Sequence, residues 1–141
     1  MVFLIKQFRV KNLEEAMAYP VPMRIKAIRG ATQVSGNTSE AISSGTAELL
    51  ESILKANSLD RADVISVLLT ATPDLTATFP AVGARSVGFG SIPLICAVEI
   101  DVPGALERVI RVMLHCQWDR DETVSHIYLH GAASLRTDIA Q

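Results

Sequence analysis

A chain of 141 residues, 49% of them apolar, is long enough to bury the core of one domain. Lys and Arg number 13 against 15 Asp and Glu, a formal net charge of -2 that argues against the basic excess of a nucleic-acid-binding surface. No run of apolar residues reaches the length needed to span a bilayer.

Residues 1–22 differ from the remainder. Val2-Phe3-Leu4-Ile5 is too short an apolar block for a signal peptide, and Pro20-Val21-Pro22 reads as an extended linker. The segment is expected to be an N-terminal extension, poorly ordered or the product of a misassigned start, with Met23 as the natural alternative. Residues 23–141 are then expected to form a single domain with a C-terminal tail from about residue 132. From Arg24, alternation puts Ile25, Ala27 and Arg29 on one face of a strand and Lys26 and Ile28 on the other, with Gly30 as its end.

Asn37 or Thr38 caps a helix that carries Glu40 in its first turn and Ile42, Leu49, Leu50, Ile53 and Leu54 at helical spacing as far as Asn57. Val64 to Ala71 is a continuous apolar run suited to a central strand buried on both faces. Pro80 opens a shorter helix through Ala81, Ala84, Arg85 and Val87, stopped by Gly88 to Gly90. Ile92 to Met113 is the most informative stretch: an apolar β-branched run bearing Cys96 and Glu99, a turn at Pro103-Gly104, and a second apolar run bearing Arg111. It reads as a hairpin-like pair whose second strand is Val109 to Cys116. His126 to Leu129 alternate as a last strand. The order βαβαβββ predicts an α+β fold, a mixed β-sheet with two main helices packed on one side.

Arginine binds carboxylates bidentately and keeps its proton, so Arg29, Arg85, Arg111 and Arg136 together point to an anionic ligand, although each taken singly reads more readily as a solvated or ion-paired side chain. Glu99 is open to three readings: a general base, a hydrogen-bond acceptor, or the ion-pair partner of Arg111. Tyr128 either packs or offers its hydroxyl to an anion. Cys96 and Cys116 form no close pair, which indicates a reducing, cytoplasmic setting, and no histidine stands where it would activate Cys96 as a nucleophile. His115, His126 and His130 lack metal-ligand spacing, and no glycine pattern matches a phosphate-binding loop.

Ile28-Arg29-Gly30-Ala31-Thr32, Thr70-Ala71-Thr72-Pro73-Asp74-Leu75, Phe79-Pro80-Ala81 with Arg85, Cys96 to Glu99 followed by Asp101-Val102, Ile110-Arg111-Val112-Met113, and Tyr128-Leu129 with Leu135-Arg136 occur in an order that resembles one family. The chain is similar, over Met23 to Asp138, to the monofunctional chorismate mutases of the trimeric pseudo-α/β-barrel class, the bacillus chorismate mutase-like fold. The resemblance implies a cytoplasmic homotrimer that converts chorismate to prephenate without a cofactor or metal, in clefts between subunits. It implies that Phe79, Ala81 and Arg85 come from one subunit, and that Arg29, Leu94, Ile95, Cys96, Glu99, Arg111 and Tyr128 line the cleft from its neighbour, with Leu135 and Arg136 closing it. Arg111, Glu99, Arg29 and Cys96 are the expected catalytic groups, and the others bind substrate. Two departures stand out: Val82 where relatives can carry lysine, and Thr137 where proline is common. The principal alternative is a trimeric carboxylate-binding or imine deaminase-like protein with an arginine at its interface. A structural trimer with Glu99 and Arg111 as a mere ion pair is the third reading.

Overall fold

The structure is a computed structural model that describes residues 22–137; the expected N-terminal extension, apart from Pro22, and the last four residues lie outside the described residues. Five strands and two α-helices follow the predicted order: β1 Arg24–Gln33, α1 Ser39–Ala56, β2 Val64–Ala71, α2 Pro80–Ser86, β3 Leu94–Val98, β4 Val109–Trp118 and β5 Ile127–Leu129. Gly30 does not end β1, which runs three residues further. A Cβ at position 30 would lie 2.8 Å from Ile53 Cδ1 and 2.9 Å from Val112 Cγ1, so the missing side chain lets α1 settle close against the sheet.

Helix α1 begins where Thr38 accepts the Ala41 N–H at 3.1 Å, with Glu40 in the first turn and Lys55 in the last, both favourable to the helix dipole. Its stripe of Ile42, Leu49, Leu50, Ile53 and Leu54 is buried. Most of it packs on Ile28, Val67, Leu69, Val112 and Leu114 of the sheet, while Ile42 joins a smaller cluster with Ala71 and Ile110. Each such side chain removed from water stabilises the fold by about 1.5–3 kcal/mol. Helix α2 lies against α1 through Gly83, where a Cβ would meet the Ser43 carbonyl oxygen at 2.2 Å.

The sheet order is β3-β2-β4-β1-β5. β4 runs antiparallel to both β1 and β2, while β2–β3 and β1–β5 are parallel. Two expectations change here. β3 and β4 are not hairpin neighbours, because β2 lies between them. Nor is β2 buried on both faces: Val67 and Leu69 point into the core while Leu68 is 38% exposed. The helices cover one face of the sheet and leave much of the other open. After β5, in the region expected as a C-terminal tail, His130–Leu135 form a short 3-10 helix with Ala132 fully buried against Ala31, Val109 and Tyr128. Among the described residues no helix is long and apolar enough to cross a membrane.

Asn57 ties the end of α1 to the segment that leads into β5. Its buried side chain donates to the Ile53 carbonyl at the end of α1 and to the Ser125 carbonyl, both at 2.9 Å, and accepts the Ser125 N–H at 2.7 Å. Asn57→Ala removes the side-chain partners of the Ser125 N–H and carbonyl, while the Ile53 carbonyl keeps the residue-57 N–H. It is expected to lower the unfolding free energy by about 1–3 kcal/mol in a urea titration; an unchanged midpoint would show that water replaces the amide without loss.

Candidate active site

The sheet register places the predicted polar residues in two rows on the open face. Ile95, Leu68, Met113 and Arg29 occupy one row; Ala97, Thr70, Arg111, Ala31 and Tyr128 occupy the next. Side chains in one row of a pleated sheet share a face, so Arg29, Thr70 and Arg111 converge although they are far apart in sequence. With Leu68, Met113, Tyr128, Leu135 and Arg136 they line a cavity of about 400 Å³. Three guanidinium groups face it and, among the described residues, no carboxylate lines it. A protein of net charge -2 thus concentrates positive charge at one point of its surface.

Glu99 enters from the side. Its backbone N–H donates to the Ala71 carbonyl at 2.9 Å, which anchors it to the end of β2. The carboxylate turns back over that strand, where Oε1 accepts the Thr70 hydroxyl at 2.7 Å and lies 3.1 Å from Arg111 Nε. The carboxylate side chain is 15% exposed and the arginine 50%, so the acid is held inside while the cation reaches outward. The closest approach of the guanidinium to the carboxylate is through Nε. Arg111 also borders a second, smaller cavity of about 250 Å³ that Glu99 lines with Asp74 and Asp101. One arginine therefore stands between a basic chamber and an acidic one.

Arg29 is fixed through its backbone. Its N–H donates to His126 Nδ1 at 3.0 Å, so that nitrogen accepts and any ring proton of the neutral imidazole sits on Nε2. Burial, followed by the nearby guanidinium groups of Arg29 and Arg136, holds this imidazole below its ordinary range. His126 was not among the residues expected to matter. Its lack of metal-ligand spacing hid a backbone contact across 97 positions of sequence that no local pattern encodes.

Other predicted residues lie elsewhere within the chain. Cys96 pairs with Leu69 and packs with Leu94 on the core of the helix-covered face, bordering a groove of about 570 Å³ that Phe79 also lines. Ala81 is buried in the core, whereas Phe79 is 71% exposed and Arg85 is exposed on α2. Neither Phe79, Ala81 nor Arg85 lines the arginine cavity of its own chain. Ile95 stands 64% exposed on the open face beside Leu68. Cys116 is buried, and burial, with the Asp63 carboxylate adding to it, pushes its thiol above the usual range, which makes it a poor nucleophile. Several motif residues prove structural: Thr72 accepts the Val109 N–H at 3.0 Å and Asp74 accepts the Arg108 N–H at 3.0 Å, closing the loop that delivers β4.

Residues 25–139 match the family described as chorismate mutase type I. The chain is 42% identical over 120 residues to the chorismate mutase AroH of Bacillus subtilis (strain 168), covering 84% of this chain and 94% of that protein. It is 43% identical over 119 residues to the chorismate mutase AroH of Thermus thermophilus, covering 82% and 96%. Among solved structures, a chorismate mutase from Clostridium thermocellum superposes with a TM-score of 0.75 at 48% identity, covering 77% of this chain and 98% of that one.

The His126 contact has a pH consequence. An unfolded chain protonates this ring near pH 6.5, while the folded chain resists it because burial disfavours the charged ring and the proton would add charge beside Arg29 and Arg136. The folded state thus binds fewer protons, so the stability present at neutral pH is lost as pH falls through about 6.5 and below. Urea midpoints measured across this range should drop more steeply for the wild type than for His126→Gln, whose side chain does not titrate; identical slopes would contradict the contact.

Proposed function

The chain belongs to the chorismate mutase type I family and is an isomerase that converts chorismate to prephenate in aromatic amino acid biosynthesis; on that premise we propose how the open-face cavity carries the reaction. The observation that supports it is the convergence of Arg29, Arg111 and Arg136 on one cavity that no described carboxylate lines. Chorismate is a dicarboxylate whose ether bond breaks as a carbon–carbon bond forms within the same molecule. The step needs no nucleophile and no proton transfer. Catalysis then consists of holding the compact conformer and stabilising the charge that separates as the ether opens.

Each residue has a part that its position supports. Arg29 and the Tyr128 hydroxyl take one carboxylate at the β1–β5 side, and Arg136 adds charge where the 3-10 helix ends beside it. The terminal nitrogens of Arg111 meet the ether oxygen, where negative charge grows. Glu99 meets the substrate hydroxyl on the side where positive charge grows. Since Cys96 packs on the opposite face of β3 from Ile95, we give the hydroxyl contact to Glu99 rather than to the thiol. Leu68, Met113 and Leu135 supply apolar wall that excludes water and strengthens these charges.

Phe79 and Arg85 fit this scheme if they complete the cleft of a neighbouring copy. Phe79, Ile95, Val98 and Ile100 are 71%, 64%, 72% and 88% exposed, an apolar surface that a solitary chain would leave in water. We therefore propose a homotrimer, located in the cytoplasm in keeping with the two free cysteines. The imine deaminase-like alternative finds no support among the relatives.

Loss of chorismate absorbance tests the scheme. Arg111→Ala should lower kcat roughly a hundred- to a thousandfold, the usual effect of removing a preorganised donor to developing charge, with the fold retained. Near-wild-type turnover by the folded variant would remove Arg111 from the chemistry. Light scattering should give three times the 15.2 kDa chain mass; a stable, active monomer would refute the shared cleft.

A further inference from the structure

Thr70 belongs neither to the arginines nor to the acid, yet it touches the acid and lines the arginine cavity. It occupies the position on β2 directly opposite Arg111 on β4 and Ala97 on β3, so its side chain rises from the same row of the open face. Its hydroxyl donates to Glu99 Oε1 at 2.7 Å, the shorter of the two contacts which that oxygen receives. Threonine is stiff about χ1, and on a strand ladder bonded on both sides it can aim the hydroxyl in few directions. Glu99 itself follows the end of β3, with three side-chain torsions to fix and only its backbone N–H anchored to the sheet.

The Thr70 hydrogen bond and the closest approach of Arg111 both fall on Oε1. Among the described residues Oε2 accepts no hydrogen bond, so the acid retains one oxygen for a ligand. Arg111 alone could not impose this arrangement, because a half-exposed guanidinium on a long side chain follows whatever anion enters the cavity. A short, rigid hydroxyl that is half-buried beneath the carboxylate can. We propose that Thr70 is a positioning residue for the rearrangement: it clamps Glu99 by one oxygen, so that the other faces the substrate hydroxyl while Arg111 engages the ether oxygen. Thr70 need not touch the reacting atoms. Its influence on the rate passes through the orientation of Glu99, and it therefore rests on the cleft being the site of the reaction.

The test is steady-state chorismate turnover by Thr70→Val, which keeps the branched shape and removes the hydroxyl, compared with wild type, Thr70→Ser, Glu99→Gln and the double variant Thr70→Val/Glu99→Gln. Thr70→Val should lower kcat roughly ten- to a hundredfold, the effect of losing a hydrogen bond to a charged group, with a smaller change in KM. Thr70→Ser should recover most of the rate. In the Glu99→Gln background the Thr70→Val change should cost less than threefold, because the group it positions has lost its charge. A merely structural threonine would shift the melting temperature without this kcat loss and without dependence on Glu99. Folded Thr70→Val with kcat within twofold of wild type, or an undiminished effect in the Glu99→Gln background, overturns the proposal. Should Thr70→Val not fold, Thr70→Ala against Thr70→Ser gives the same comparison without crowding. A wild-type protein inactive on chorismate would instead overturn the reading of the cleft itself.

Discussion

The contact between Glu99 and Arg111 is the constraint around which the open face is built. As a stabilising device it is weak: one partner is half exposed, and such pairs contribute at most about 1 kcal/mol. Holding a carboxylate with 15% exposure beside it still requires that the acid be hydrogen-bonded, and the Thr70 hydroxyl meets that requirement. An arrangement that does little for stability and yet occupies two strands and a loop makes sense when its opposite charges face a ligand whose own charge separates as it reacts.

The two faces of the sheet divide the labour. On the covered face Leu69, Val112, Leu114 and Ile28 meet the stripe of α1, and glycine at position 30 allows the close approach that seals them. That rigid layer sets the positions of Arg29, Thr70 and Arg111 above it, because neighbouring residues on each strand project to opposite faces. The open-face geometry thus inherits its precision from packing on the covered one. The same division leaves Ile95 and Leu68 in water within a single chain, which is why the trimer and the cleft form one proposal.

Periodicity made the elements legible: the alternation from Arg24, the capped stripe from Thr38 to Asn57, and the proline that opens α2 all stand where the residues place them. Strand order was beyond such patterns. The apolar run at 64–71 reads as a doubly buried strand since its second face is apolar, but one chain leaves that face partly open. Glu99 and Arg111 drew notice as ionisable residues in greasy context, while the hairpin they suggested is interrupted by β2. Thr70 and His126 were invisible as site residues because a threonine in a strand and an isolated histidine are ordinary; their contacts, across 29 and 97 positions, exist only in the folded sheet. Cys96 was expected in the cleft from the family resemblance, whereas the pleat turns it to the face opposite Ile95.

The central claim is that Arg111 and Glu99 are opposite poles acting on one bound molecule. A crystal structure of the protein with a bicyclic dicarboxylate mimic of the transition state tests it most directly. The account predicts a terminal nitrogen of Arg111 within hydrogen-bond distance of the mimic's ether oxygen, Glu99 on its hydroxyl, and Arg29 on a carboxylate. A mimic bound away from this cavity, with neither Arg111 nor Glu99 touching it, would contradict the account.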